Sequence, residues 1–193
     1  MRTGAAADYH RRMHATELAF RAATAADIPA VVALVESAYR GESGLRGWTT
    51  ESNLLDGQRT DARDVGEAIA RPDSLVLLAE RDGALVACCH LEKQDGAAYF
   101  GMFAVDPSRQ TGGVGKQVIA HAEQLARTRW GVDRMRMTVI VQREELIAFY
   151  ERRGYARTGQ FKPFPYGDAR FGIPRRDDLR FEVLEKPLGE VAA

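Results

Sequence analysis

A chain of 193 residues with 45% apolar content is long enough for one domain of ordinary size with a buried core. Lys plus Arg and Asp plus Glu stand at 27 each, so the formal net charge is zero, which argues against a nucleic-acid partner, since that would want a basic excess. No apolar run approaches a membrane span, and the two cysteines, Cys88 and Cys89, are neighbours that a strand would turn to opposite faces, so neither a disulfide nor a shared metal site is expected. This usage suits a soluble protein of a reducing compartment, and a cytoplasmic location is expected.

Residues 1–16 show no clear period and read as a flexible tail ahead of a single domain over 17–189. Leu18 to Ala22 reads as a strand. Thr24-Ala25-Ala26-Asp27 then sets an acid three residues after a cap, the spacing of a capping box. The helix behind it carries Ile28, Val31, Val32, Val35 and Tyr39 along one side, with Pro29 tolerated in the first turn. Arg40 to Thr60 has little periodicity. Twenty-one such residues in a compact domain usually mean function or disorder, and Trp48 followed by Glu51 favours function. A surface loop anchored by Trp48 is the structural alternative. Asp61 to Ala70 reads as a second helix, closed by Arg71-Pro72.

Three strand-like runs follow, Leu75 to Glu80, Leu85 to Glu92 and Ala97 to Val105. They are joined through Asp82-Gly83 and Asp95-Gly96, a strong hairpin signal. Pro107 ends the third run, because it lacks an N–H and biases Asp106 away from helical angles. Val114, Val118, Ala122 and Leu125 give one apolar face to a long helix that Gly131 stops. Arg134 to Val141 reads as a strand, Glu144 to Arg153 as a helix capped by Gly154, and Tyr155 to Phe161 and Arg180 to Leu184 as strands. The expected fold class is α/β, with a mixed, mostly antiparallel central sheet and flanking helices. Phe161 to Pro174 is too apolar for a free loop. It is expected to line an acceptor site or pack on a second subunit, with a homodimer favoured.

The informative stretch is the loop between the third run and the long helix, Gln110-Thr111-Gly112-Gly113-Val114-Gly115-Lys116. The first N–H groups of a helix lack intrahelical partners, and glycines let an anion approach them, so a phosphate or pyrophosphate is the expected ligand. A plain strand-to-helix turn is the bland alternative. Two phosphate loops are excluded. A Walker loop needs Gly where Gln110 stands and Ser or Thr where Gln117 stands, and the dinucleotide fingerprint needs Gly at Val118.

What remains, Val105-x-Pro107-x-x-Gln110-x-x-Gly113-x-Gly115, resembles the acetyl-CoA signature of the GNAT superfamily of N-acetyltransferases, and the resemblance runs from about Leu18 to Leu188. It implies acetyl-CoA as co-substrate, with the backbone of Gln110, Thr111, Gly112, Gly113, Val114, Gly115 and Lys116 cradling the pyrophosphate. It also implies that the strand ending in Phe103, Ala104 and Val105 splays from a parallel neighbour and offers backbone groups to the pantetheine arm. The segment Glu145 to Tyr155 resembles the family's region beside the CoA sulfur, which places Tyr150 as general acid to the leaving thiolate; by period alone Tyr150 reads as a core aromatic. The family often has Asn where Arg143 stands, so Arg143 is a departure: it reaches a phosphate of the cofactor, or it is a solvated arginine at the helix start. The region between the first two helices implies an acceptor site, with Trp48, Glu51 and Glu42 as substrate-binding candidates.

Many relatives carry a carboxylate base on the strand before the loop, and Ala97 to Val105 has none. Glu42, Glu51, Glu92, His90 or a water relay are the remaining candidates. The implied activity is direct acetyl transfer to a primary amine of a small molecule. The alternatives are a protein or peptide N-acetyltransferase and a CoA-binding regulatory module without catalysis.

Overall fold

A computed structural model describes residues 17–40, 51–109 and 112–189. Seven strands form one sheet, in the order β1 (Ala19–Ala22), β3 (Ser74–Arg81), β4 (Ala84–Gln94), β5 (Ala97–Val105), β6 (Arg134–Ile140), β9 (Arg180–Pro187), β7 (Ala156–Pro163). Every pairing in it is antiparallel except β5 with β6. The α/β class and the mostly antiparallel sheet expected from the sequence are therefore what forms. The two Asp-Gly turns are tight for a stated reason: Asp82 and Gly83, like Asp95 and Gly96, all have positive φ, the geometry that matches strand twist.

Among the described residues four helices cover the sheet: α1 (Ile28–Tyr39), α2 (Ala62–Ala70), α3 (Val114–Trp130) and α4 (Glu144–Glu151). Val31, Val35, Ala38 and Tyr39 of α1 and Val65 and Ala68 of α2 pack with Val76, Leu78, Cys88 and Ala104 on one face. Val114, Val118 and Ile119 of α3 and Leu146, Ile147 and Tyr150 of α4 pack with Leu77, Cys89, Phe100 and Phe103 on the other. The adjacent cysteines thus face opposite ways, both buried and free, and burial pushes the Cys88 thiol up to about 12, so it is an inert core residue. The stripe read for α1 needs adjustment. Leu34 and Ala38 are buried in it, whereas Ile28 and Val32 are only partly so.

Before α1, Thr24 N–H donates to Asp27 Oδ2 at 2.8 Å; the capping box is present, and it opens a short 3-10 turn over Ala25–Asp27. The stretch after α1, which lacks periodicity, contains one strand too short to have any. β2 (Leu55–Asp56) pairs antiparallel with β8 (Ile173–Pro174). Arg175 clamps the junction with two hydrogen bonds to Asp56, of 2.8 and 2.7 Å. This two-stranded staple ties the segment after α1 to the Pro- and aromatic-rich loop.

Candidate active site

The sheet opens where β5 and β6 part. Only Ala98 with Met135 and Tyr99 with Arg136 are in register, and beyond Tyr99 the strands diverge. On its other edge β5 carries one extra residue: Cys88 pairs Ala104 and His90 pairs Gly101, so a two-residue step on β4 faces a three-residue step on β5. Met102 absorbs the bulge with φ of +46°, a left-handed conformation that a non-glycine residue rarely takes. The bulge switches the parity of the strand. Ala98 and Phe100 face the α3 side before it, and Phe103 and Val105 face that side after it.

A cavity of about 650 Å³ runs through this opening, lined by Tyr150 and Leu146 from one core cluster and by Tyr39, Ala68 and Met102 from the other. Arg59 and Thr60 beside β2, and Phe164 and Phe171 on the aromatic loop, complete its wall, so the β2·β8 staple holds two remote segments around one space.

Glu51 sits at the centre of a buried charge cluster. Its Oε2 accepts from Arg40 at 2.9 Å and its Oε1 accepts from Arg143 at 3.0 Å, with Arg59 Nε at 3.7 Å. Burial alone would push this carboxyl up, but Arg143, Arg59 and Arg40 together hold it below its ordinary range. An acid so committed is an anchor for arginines and a poor proton acceptor. The same geometry places Arg143, a phosphate candidate or a solvated arginine by sequence, in this cluster at 8% exposure. Its guanidinium lies on the Tyr39 and Glu51 side, 5.7 Å from the Tyr39 ring centroid, because it starts α4 facing the opening and finds a buried carboxylate there.

The glycine-rich loop lies on the opposite face. α3 begins at Val114, and its first bond runs from Gln117 N–H to Gly113 C=O at 3.1 Å, so the N–H groups of Val114, Gly115 and Lys116 have no partner within the helix. Gly112 and Gly113 have φ of +75° and +72°, and a Cβ on either would meet nothing within 4 Å. Both glycines are therefore set by backbone conformation in an open cradle that fits a pyrophosphate. Gly115 differs: its φ is not left-handed, and a Cβ there would meet the Phe103 ring at 3.4 Å and Phe149 at 3.5 Å, ordinary contact distances. Ala104 pairs with Cys88 and Val105 with Ala87, while the Phe103 carbonyl, expected free for a pantetheine arm, accepts from the Tyr39 hydroxyl at 2.5 Å. Gln110 and Thr111, like Glu42 and Trp48, lie outside the described residues.

A family model described as acetyltransferase (GNAT) family matches residues 35–155. The chain belongs to that family. It is accordingly an acetyl-CoA-dependent acyltransferase with acetyl-CoA as co-substrate. An IAA acetyltransferase of Azospirillum brasilense is 30% identical over 138 residues, which cover 70% of this chain and 82% of the relative. Two solved structures share the fold. The ribosomal-protein-S18-alanine N-acetyltransferase of Escherichia coli matches with a TM-score of 0.62 at 16% identity, over 91% of this chain and 97% of that one. An acetyltransferase from Bacillus anthracis str. Ames, solved in complex with acetyl coenzyme A, matches with a TM-score of 0.53 at 22% identity, over 64% of this chain and 67% of that one.

Tyr150 is 4% exposed and lines the cavity, its ring set edge-on against Phe149 and Tyr155. Among the described residues, no group hydrogen-bonds its hydroxyl. Burial, reinforced by the nearby Tyr39 and only partly offset by Arg143, keeps it protonated well above the usual phenol range. His90 also lines the cavity. Its Nε2 lies 2.8 Å from Ser74 Oγ, which itself donates to the Ala68 carbonyl at 2.6 Å. A hydroxyl has one proton, so Nε2 must carry the other, which assigns the lone pair to Nδ1. Burial lowers the His90 pKa below 6.5, with Glu92 opposing and Arg71 adding to the shift, so the ring is neutral at pH 7. Glu92 itself is bound by Arg71 at 3.0 Å. Among the described carboxylate and imidazole candidates, His90 therefore retains a lone pair not already held by an arginine. Local sequence signals single out neither the tautomer nor the Ser74 contact, which joins residues 16 positions apart.

Proposed function

We propose that this enzyme transfers acetyl from acetyl-CoA directly to a primary amine of a small molecule, with Tyr150 as general acid and His90 as proton acceptor. The observation that carries the reading is the cavity through the β5–β6 opening, with the glycine cradle on one face and a walled space of small-molecule size on the other. Acetyl-CoA supplies the thioester when bound; Val114, Gly115 and Lys116 offer the N–H groups for its pyrophosphate, and Phe103 packs under Gly115. On the acceptor side the ammonium must lose a proton. With a pKa near 10.4, only about one amine in a few thousand is neutral at pH 7, a deficit of roughly 4–5 kcal/mol. A neutral imidazole facing the cavity meets that need.

The test is CoA-thiol release with a panel of amines, followed across pH and in His90→Gln, whose amide keeps a donor to Ser74 but offers no basic nitrogen. Release with at least one small amine is expected, with kcat/KM falling as pH drops through a value below 6.5, and with about a 10²-fold loss and no such limb in the variant. Binding of acetyl-CoA without release for any amine would leave a CoA-binding module. An unchanged pH profile in His90→Gln would return the proton to a water relay.

A homodimer belongs to the same reading. Phe161, Tyr166, Phe171 and Ile173 are 42–58% exposed, which is unusual for large apolar groups around one loop. Sedimentation at micromolar concentration should give twice the chain mass of 21.4 kDa, and a monomer throughout would remove this part.

A further inference from the structure

Among the described residues, the charge cluster beside the cavity holds more arginines than acids. Arg40, Arg59 and Arg143 converge on Glu51, whose two oxygens are already taken by hydrogen bonds from Arg40 and Arg143. Glu36, the other acid nearby, accepts the backbone N–H groups of Arg59 and Thr60 at 2.6 and 2.8 Å, so it holds the chain on which Arg59 stands rather than its side chain. Of the other cations of the cavity wall, Arg71 is engaged by Glu92 and Arg170 by Asp168, while Lys162 is exposed to solvent. Arg59 is different. Its guanidinium lies 5.0 Å from the Tyr39 ring centroid, reaches Glu51 only at 3.7 Å, and donates no hydrogen bond to any described residue. A guanidinium 29% exposed on the wall of a cavity, paired with Glu51 only at 3.7 Å, has among the described residues no acceptor for the hydrogen bonds that its fork normally makes.

The geometry points to an acceptor that carries a carboxylate as well as its amine, with Arg59 as the residue that binds the anion. This deepens the transfer reading above and rests on it. A planar carboxylate matches the guanidinium fork with two parallel hydrogen bonds, and the Tyr39 ring, 5.0 Å from the guanidinium, adds a cation–π contact. The phosphates of acetyl-CoA do not supply this anion. The glycine cradle lies on the α3 face, whereas Arg59 stacks on Tyr39 of α1, on the opposite face of the sheet. The apolar part of such an acceptor would lie against Val139, Leu146, Phe164 and Phe171, which share the cavity wall.

Two measurements on the full chain test this. The first compares kcat/KM for γ-aminobutyrate, 6-aminohexanoate and L-phenylalanine with that for each carboxamide. The wild type should prefer the carboxylates by about tenfold or more, Arg59→Gln should bring each ratio to within about threefold of one, and Arg59→Lys should fall between. The second needs no turnover: ligand-observed NMR titration with hexanoate and hexanamide. Hexanoate should bind at least about tenfold more tightly than hexanamide, and Arg59→Gln should abolish the difference. Equal binding of the two, or a preference that survives Arg59→Gln, overturns the anion site. Binding that depends on Arg59 with no amine turned over would leave the anion site standing and overturn the transfer reading instead.

Discussion

Tyr150→Phe should lower kcat by about 10²–10⁴-fold while leaving acetyl-CoA affinity nearly unchanged. The substitution removes one oxygen from a ring that is otherwise fixed. The edge-on contacts to Phe149 and Tyr155, with centroids 5.4 and 5.9 Å away, involve carbon atoms that Phe retains. The lost oxygen belongs to a residue of the cavity wall. In water, moving a proton from a phenol of pKa about 10 to a thiolate of about 8.5 is uphill, and burial raises the phenol further. The same water-poor wall destabilises the departing thiolate, which is the anion that gains most from an O–H donor at the moment it forms. The effect should therefore fall on kcat rather than on binding. Near-normal turnover in the variant would sink the acid role, and lost acetyl-CoA affinity, measured by calorimetry on the same protein, would show a structural hydroxyl instead.

Glu51→Gln should destabilise the fold by about 3–5 kcal/mol, the usual cost of removing one partner from a buried ion pair. The side chains of Arg40, Arg143 and Glu51 are 9%, 8% and 7% exposed, so the orphaned guanidiniums cannot simply turn to water. For a domain of this size that is a fall in Tm of roughly 6–20 °C, readable by calorimetry or urea unfolding. The pH dependence has a definite sign. The Glu51 carboxyl lies below its ordinary value of 4.5 when folded, so its contribution is fully present above that value and is lost as pH falls through the folded pKa. Wild type and variant should thus converge in stability as the solution becomes acidic. A variant within about 1 kcal/mol of wild type at pH 7 would mean that the cluster is solvated and of surface strength.

Much of this architecture was legible because it is local. Pro107 ends β5 and the two Asp-Gly pairs turn the meander, since each acts on its own φ and hydrogen bonds. Thr24 and Asp27 open α1 because both lie within one turn of it. The loop spacing from Val105 to Gly115 carried the family, since a helix terminus and its glycines are contiguous in the chain.

Other features depend on residues that meet only in three dimensions. The Arg143–Glu51 bond spans 92 positions, and neither residue's neighbours record the other. A burial period reports which face is covered and is silent about the partner, so nothing local to Arg143 points to Glu51. β2 and β8, at two residues each, are too short to show any period and exist only because they find one another across the aromatic loop. The Met102 bulge switches the parity of β5 midway, so no single alternation fits Ala97 to Val105. The sequence by itself determined the strands of the main sheet, the four helices and the acetyl-CoA signature, because each follows from interactions within a few residues. Only the tertiary structure decided which charges Glu51 holds, which nitrogen of His90 stays basic, and that Arg59 faces the cavity, because those depend on chain segments brought together by the splayed sheet.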